Sequence, residues 1–237
     1  MKIINTSFRT NQAEIMDNFE LGGEELEKVL KDLENINKWL GGNKVTLSGI
    51  KKIQRENPQE QEWNIVDVGC GNGAMLREIA QWGKKNNIEL KLTGVDANIH
   101  AISIAKRLSE NYPNIEFKVM DVFSESYRKQ NFDIVLCTLT LHHFTDPQII
   151  NLLKLFHRQA KYGVLINDLH RSKIAYRLFQ VFCRVFIRNE IARKDGLTSI
   201  LRGFKKSDLE RFSAKIPASQ AEIKWKWAFR YQWIIQK

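Results

Sequence analysis

The sequence predicts an α/β fold with a parallel sheet covered on both faces, and two observations carry that prediction. From Asn64 to Asn167 short β-rich apolar runs alternate with stretches of helical periodicity, the pattern of successive strand–helix units. The first of those runs passes directly into Gly69-x-Gly71-x-Gly73 and then a helical stretch, a join at which backbone can approach a ligand closely.

The elements follow in order. Residues 1–23 read as a polar arm ending in Gly22-Gly23. Residues 24–40 read as an amphipathic helix, because Leu26, Val29, Leu30, Leu33, Ile36 and Leu40 recur at helical spacing and Gly41-Gly42 stops the run. A second helix fits 45–55, closed by the polar stretch 56–60. Strands are expected at 65–68, 90–95, 115–120, 134–138 and 163–167, with helices at 74–86, 99–110 and 147–159 between them. Asp146-Pro147 reads as the cap and first residue of the last of these helices. A helix at 207–215 and β-like stretches at 221–226 and 229–235 can finish the sheet with an antiparallel hairpin. The chain thus divides into an N-terminal helical cap (1–60), a ligand-binding core (61–170), a basic helical lid insertion (171–206) and a closing helix with strands (207–237).

Composition narrows the classes. A chain of 237 residues, 43% hydrophobic, is a globular domain with appendages and not a disordered segment. Cys70, Cys137 and Cys183 are too widely spaced to suggest a disulfide framework or a paired metal site, which fits a cytoplasmic protein. The N-terminus lacks the apolar stretch of a signal peptide, and no run approaches the ~20 apolar residues of a membrane span. The net charge of +10 is concentrated, since residues 171–206 hold ten Lys/Arg against two acids, a net of +8. Nucleic acid, an anionic membrane surface and acidic substrates are all compatible with that excess.

The glycine loop alone says that a nucleotide-like ligand binds. Its letters also satisfy the dinucleotide fingerprint, as Gly69-x-Gly71-x-x-Ala74. Three acids argue against that. Asp67 precedes the first glycine by two residues, where its charge opposes a pyrophosphate but suits an ammonium and a sulfonium. Asp96 closes the second strand, placed to accept from both ribose hydroxyls. Asp121 closes the third, where it can accept from an adenine amino group with Val122 and Phe123 beside the ring.

The ordered set VDVGCGNG, LTGVDAN, FKVMDVF and FDIVLCTLTLHHF resembles motifs one to four of class I S-adenosylmethionine-dependent methyltransferases, over about residues 64–167. The resemblance implies a Rossmann-like, seven-stranded, mostly parallel sheet with its last strand antiparallel, and S-adenosylmethionine as cofactor. It carries cofactor contacts onto Asp67, Gly69, Cys70, Gly71, Gly73, Asp96, Ala97, Asp121, Val122, Cys137 and Leu139. The Asn37–Gly42 and Asn167–Ser172 runs are similar to a bacterial subgroup of the ubiquinone-biosynthesis type, often found with type III polyketide synthases. That likeness implies O-methylation of a phenolic or resorcinol lipid.

A phenol, with a solution pKa near ~10, reacts better once a base takes its proton. His142 and His143 follow the fourth strand, and His170 follows the fifth with Asp168 two residues before it. His170 with Asp168 is the favoured pair, because a nearby carboxylate can orient the ring. No metal site is expected, since adjacent histidines without cysteine or helix-spaced partners do not make a zinc site.

In the basic segment Ile174, Leu178, Val181, Phe182, Val185 and Phe186 recur at helical spacing beside a stripe of Lys173, Arg177, Arg184 and Arg188. Such a helix can cover an apolar pocket, lie on an anionic membrane surface, or do both. A small lipophilic substrate is favoured over nucleic acid, because the stripe lacks the mixed aromatic platform of single-strand binders. An RNA or protein methyltransferase using this charge is the alternative, followed by a NAD-dependent oxidoreductase and a non-catalytic cofactor-binding module.

Overall fold

The structure is a computed structural model that describes residues 4–217 and 220–237. Residues 1–3 of the arm and 218–219 ahead of the last hairpin lie outside the described residues. Its elements run α1 (Gly23–Trp39), α2 (Gly42–Glu56), β1 (Glu62–Val68), α3 (Ala74–Lys85), β2 (Glu89–Asp96), α4 (Ile99–Leu108), β3 (Ile115–Val119), α5 (Glu125–Arg128) and β4 (Phe132–Thr138). They continue with α6 (Asp146–Gln159), β5 (Ala160–Leu169), α7 (Lys173–Phe186), α8 (Glu190–Arg202), α9 (Lys206–Ser213), β6 (Gln220–Lys226) and β7 (Arg230–Gln236).

The seven strands lie in the order β3-β2-β1-β4-β5-β7-β6. Strands β1 to β5 are parallel, while β7 is antiparallel to both β5 and β6. The expected closing hairpin is therefore present. Strand order reverses between β1 and β4, which opens a crevice at their carboxyl ends, where ligands of such sheets bind.

Alternation along the strands builds two cores. Ile65, Leu92, Ile134, Leu136 and Ile234 face α2, α3 and α4 through Ile50, Ile53, Leu76, Ile79 and Ile102. Val66, Val135, Val164, Ile166 and Trp233 face α5, α6 and α9 through Tyr127, Phe156, Leu209 and Phe212. Each fully buried aliphatic or aromatic side chain contributes about 1.5–3 kcal/mol by leaving water. The strands buried on both faces read as continuous apolar runs for that reason.

Several expectations are corrected. The segment 171–206, expected as a helical insertion without stated helix bounds, forms two helices, α7 and α8, because Ile187 is buried at the end of α7 and Asn189 caps a new helix by accepting from the N–H groups of Ile191 and Ala192. Thr145, with Gln148 three residues on, caps α6 in a reciprocal box, so Asp146 lies inside the first turn and is available to Arg9 and Arg211. Strand β3 ends at Val119, which leaves Met120 and Asp121 in the loop beyond it. Helix α2 packs on β5 and β7 as part of the sheet's covering layer, so a cap ending at residue 60 cuts through the core.

Candidate functional site

A cavity of about 1090 Å³ opens over the carboxyl ends of β1, β2, β4 and β5. A drug-sized ligand fills roughly 300–1,000 Å³, so this one has room for a nucleoside cofactor and a second molecule.

At one end the glycine loop makes the wall. Gly69 has φ +71° and a Cβ there would lie 2.4 Å from Thr140, so glycine is required on both counts. Gly71 and Cys70 line the cavity beside it. Gly73 does not reach the wall: it caps α3 at φ +74°, and its missing Cβ makes space for Phe117. Asp67 is 2% exposed, and its Oδ1 has no hydrogen-bond partner. Burial, reinforced by Asp96, pushes its pKa up to about 8. An orphaned buried carboxylate on a cavity wall is suited to a cationic ligand group.

Asp96 accepts from the Gly71 N–H at 3.0 Å through Oδ2 and from the Asn98 N–H at 2.9 Å through Oδ1. These bonds fix its plane and leave lone pairs for a diol, although burial still raises its pKa. Asp121 is exposed and accepts from the Phe123 N–H at 2.9 Å. Ala97, Met120, Val122 and Phe123 line the same end. The donor set thus fits S-adenosylmethionine: Asp67 for the ammonium, Asp96 for the ribose, Asp121 and Val122 for the adenine. Cys137 is fully buried in the core and misses the wall, which Thr138, Leu139 and Thr140 supply instead. Leu139 sits at φ +53°, its N–H held by the Asn167 carbonyl at 2.8 Å.

The other end departs most from expectation. Asp168 does not pair with His170. It accepts from His142 Nδ1 at 2.7 Å and from the His142 N–H at 3.2 Å, while Asp168 itself stays behind the wall. His170 lies outside the cavity, packed against Phe229 and Tyr231, with Nδ1 accepting from Trp225 Nε1 at 3.3 Å. The end of the strand explains this: β5 stops at Leu169, so His170 has left the pleat and turns to Phe229 and Tyr231, while Asp168, still in the strand, reaches the turn after β4.

Both His142 and His143 line the cavity with their rings 4.3 Å apart. Burial alone would lower the His142 pKa, but Asp168 and Glu14 outweigh it and hold the ring up to about 9. His142 is therefore an imidazolium at neutral pH and has no lone pair to offer. His143 is different. Its Nδ1 donates to Asp17 Oδ1 at 2.6 Å, so Nε2 is the nitrogen left to accept a proton. Burial pushes the Asp17 pKa up, yet His143 and Arg202 more than reverse it and hold the carboxyl well below the usual range.

Sequence reasoning missed the acids that organise this end. Glu14 accepts from Ser199 Oγ at 2.7 Å and lies 3.4 Å from Arg202 Nη1. Arg202 also bonds Asp17 at 2.5 Å and the carbonyls of His142 and His143. Asp195 accepts from the N–H groups of Ile15 and Met16, and Arg9 reaches Asp146 and the carbonyls of His142, Phe144 and Arg202. The arm is thereby stitched to α8 and to the turn after β4. No periodicity marks such residues; the single available hint was the pair Glu14-x-x-Asp17 in an otherwise polar arm.

Glu14, His142 and His143 place potential ligand atoms within 4.8 Å of one another, a group that could hold a metal ion and that the adjacency argument did not consider. Arg202 already sets a positive charge against the Glu14 carboxylate, so the group works as an ion-pair network. Arg171 and Arg202 of the basic segment are buried in such internal contacts, which removes two cations from any surface footprint.

Residues 65–163 match the family model described as a methyltransferase domain. A ubiquinone biosynthesis O-methyltransferase of Coxiella burnetii is 34% identical over 86 residues, covering 36% of this chain and 34% of that protein. The chain therefore matches about a third of that relative's length. The corresponding protein of Azoarcus sp. is 25% identical over 179 residues, covering 70% of this chain and 72% of its own length. The plantazolicin methyltransferase BpumL, solved with S-adenosylhomocysteine, superimposes with a TM-score of 0.66 at 16% identity, covering 88% of this chain and 89% of that one.

Proposed function

We propose that this chain, a class I S-adenosylmethionine-dependent methyltransferase, O-methylates a small lipophilic acceptor bearing a phenolic hydroxyl, of the quinone-precursor or polyketide-lipid kind. The observation that supports this most is the Asp17–His143 pair at the junction between the cofactor loop and an apolar chamber. Leu33 and Ile36 of α1, Leu40 at its C-cap, and Leu178, Phe179 and Phe182 of α7 wall that chamber.

Bound S-adenosylmethionine supplies an electrophilic methyl group. The residues of the chain do the rest. His143 Nε2 takes the phenol proton, a step worth about 10²–10⁴-fold. Asp17 holds the ring and stabilises the imidazolium that forms, and Arg202 holds Asp17. The apolar walls exclude water and align the acceptor, since in-line displacement depends chiefly on positioning. The relatives named above, themselves O-methyltransferases of ubiquinone biosynthesis, support the choice of oxygen. Incubation with labelled S-adenosylmethionine and a series of 5-alkylresorcinols should give a methyl ether. Failure on every phenol together with transfer to RNA would sink the reading.

The outer face of α7 favours a lipid source for the acceptor. Ile174, Leu178, Val181 and Val185 form one stripe and are 64%, 55%, 58% and 69% exposed, with Lys173, Arg177 and Arg184 along its margin. Leu178 belongs to this stripe and also to the cavity wall, so a molecule leaving an anionic bilayer meets the chamber directly. No described helix is long and apolar enough to cross a membrane. Cosedimentation with phosphatidylglycerol vesicles should be lost in V181E/V185E while S-adenosylhomocysteine affinity stays unchanged; binding that survives both substitutions would remove α7 from the contact.

A further inference from the structure

Among the described residues, three arginines are buried, and two of them are fully engaged. Arg171 donates to the carbonyls of Thr6 and Gly203 and to Asp208. Arg202 bonds Glu14, Asp17 and two carbonyls. Arg230 is as deeply placed, 2% exposed, yet its Nε and Nη1 have no partner and it makes no ion pair. It is also the only Lys or Arg among the residues lining the cavity. An unpaired buried guanidinium is costly, and a fold that satisfies its other buried arginines leaves this one to a ligand.

The surroundings confirm the vacancy of charge. The acid whose field reaches Arg230 is Asp168, but its oxygens are committed to His142 and to the Leu169 N–H. A methyl on Gly42 would lie 2.8 Å from the Arg230 guanidinium carbon and 1.8 Å from Asn37 Oδ1. Glycine at 42 thus leaves room for the guanidinium beside an amide oxygen that is itself without a partner. A neutral amide cannot balance the charge.

We propose that Arg230 binds a carboxylate on the acceptor molecule, so that the acceptor is an amphiphilic acid held by its anionic group while its hydroxyl lies toward His143. The inference rests on the acceptor reading above. A planar carboxylate matches the fork of one guanidinium. A phosphate fits worse, because Glu14, Asp17, Glu34 and Asp195 line the same cavity with no second Lys or Arg.

Position favours the acceptor over the amino-acid tail of the cofactor. Arg230 pairs in register with Leu169 at the carboxyl end of β5, and β7 is three strands from β1. Three spacings of about 4.8 Å put the two strands roughly 14 Å apart. The ammonium and carboxylate of one amino acid cannot bridge Asp67 and Arg230 over that span unless the arginine crosses most of it.

The test is calorimetry on the full chain saturated with S-adenosylhomocysteine. Two pairs of probes are titrated, 2,4-dihydroxy-6-pentylbenzoate against 5-pentylresorcinol, and octanoate against 1-octanol. The wild type should bind the acid of each pair at least about 10-fold more tightly than its neutral partner. R230Q should erase that preference, and R230K should keep part of it, with cooperative thermal melting confirming that both variants fold. A preference that persists in R230Q, or is absent from the wild type, overturns the proposal. So does an R230Q variant that loses affinity for S-adenosylhomocysteine but not for 5′-methylthioadenosine, because the carboxylate would then be the cofactor's. Octanoate preference with neither resorcinol bound supports Arg230 while removing the phenolic reading.

Discussion

The two ends of the cavity are built in opposite ways. The cofactor end is drawn from consecutive strand ends, with Asp67, Asp96 and Asp121 each at or just past the carboxyl end of β1, β2 and β3. The acceptor end is gathered from the whole chain: Asp17 meets His143 across 126 positions, and Arg202 meets Asp17 across 185. A site made by local strand–loop–helix joins follows from the fold itself. A site made by long-range polar contacts depends on the arm being docked, so its shape can differ where the sheet does not. Disabling one end should leave the other measurable.

The largest effect should come from the acceptor end. H143Q is expected to lower kcat by about 10²–10⁴-fold, with S-adenosylhomocysteine affinity unchanged by calorimetry. An unaltered kcat would place the base elsewhere. Next comes R202M, which strips Glu14 and Asp17 of a shared buried cation. Removing one partner of a buried pair costs about 3–5 kcal/mol, to be read from denaturant midpoints. Limited proteolysis should then cut the arm ahead of Gly22 first, and an arm that stays protected would show that Arg9 and Asp195 suffice to hold it.

The same contrast explains what could be read from the sequence. Strand ends and glycines obey periods of two residues and fixed offsets, so the loop, Asp96 and the closing hairpin were legible. Gly73 and Cys137 were placed on the cofactor by motif alone, whereas Gly73 serves Phe117 and Cys137 the core. The partner of Asp168 was misread for a simple reason. Two residues' separation suggested His170, since i and i+2 share a face along a strand, but β5 ends at Leu169 between them, so His170 leaves the pleat and the carboxylate found His142, 26 positions earlier. The apolar spacing from Ile174 to Phe186 announced α7, yet only packing could show that α8 follows it and that Arg171 and Arg202 hold the arm. Arg230 gave no signal, because one arginine in a β-rich run looks like any surface charge.

The smaller effects belong to the cofactor end and turn on Asp67. D67N should weaken S-adenosylhomocysteine by about 10–100-fold, the value of a charge-assisted hydrogen bond, and leave vesicle binding by α7 intact. The sign of its pH dependence follows from burial. With a folded pKa near about 8 and an unfolded value near ~3.9, Asp67 stabilises the ligand-free fold at low pH and loses that contribution as pH rises from about 4 to 8. Ligand-free D67N should therefore melt at a higher temperature than the wild type at pH 8–9 and show little difference at pH 4. An ammonium brought against the carboxylate reverses the shift, so at pH 7 binding expels the proton that the empty site holds. Calorimetry in buffers of different ionisation enthalpy should record close to one proton released at pH 7 and net proton uptake at pH 9.5, where Asp67 is already ionised and the ligand's largely neutral amino group must gain a proton to bind as an ammonium. Equal heats in all buffers at pH 7 would mean that binding takes no proton from Asp67, because either it is ionised in the empty site or the ammonium is met by another group.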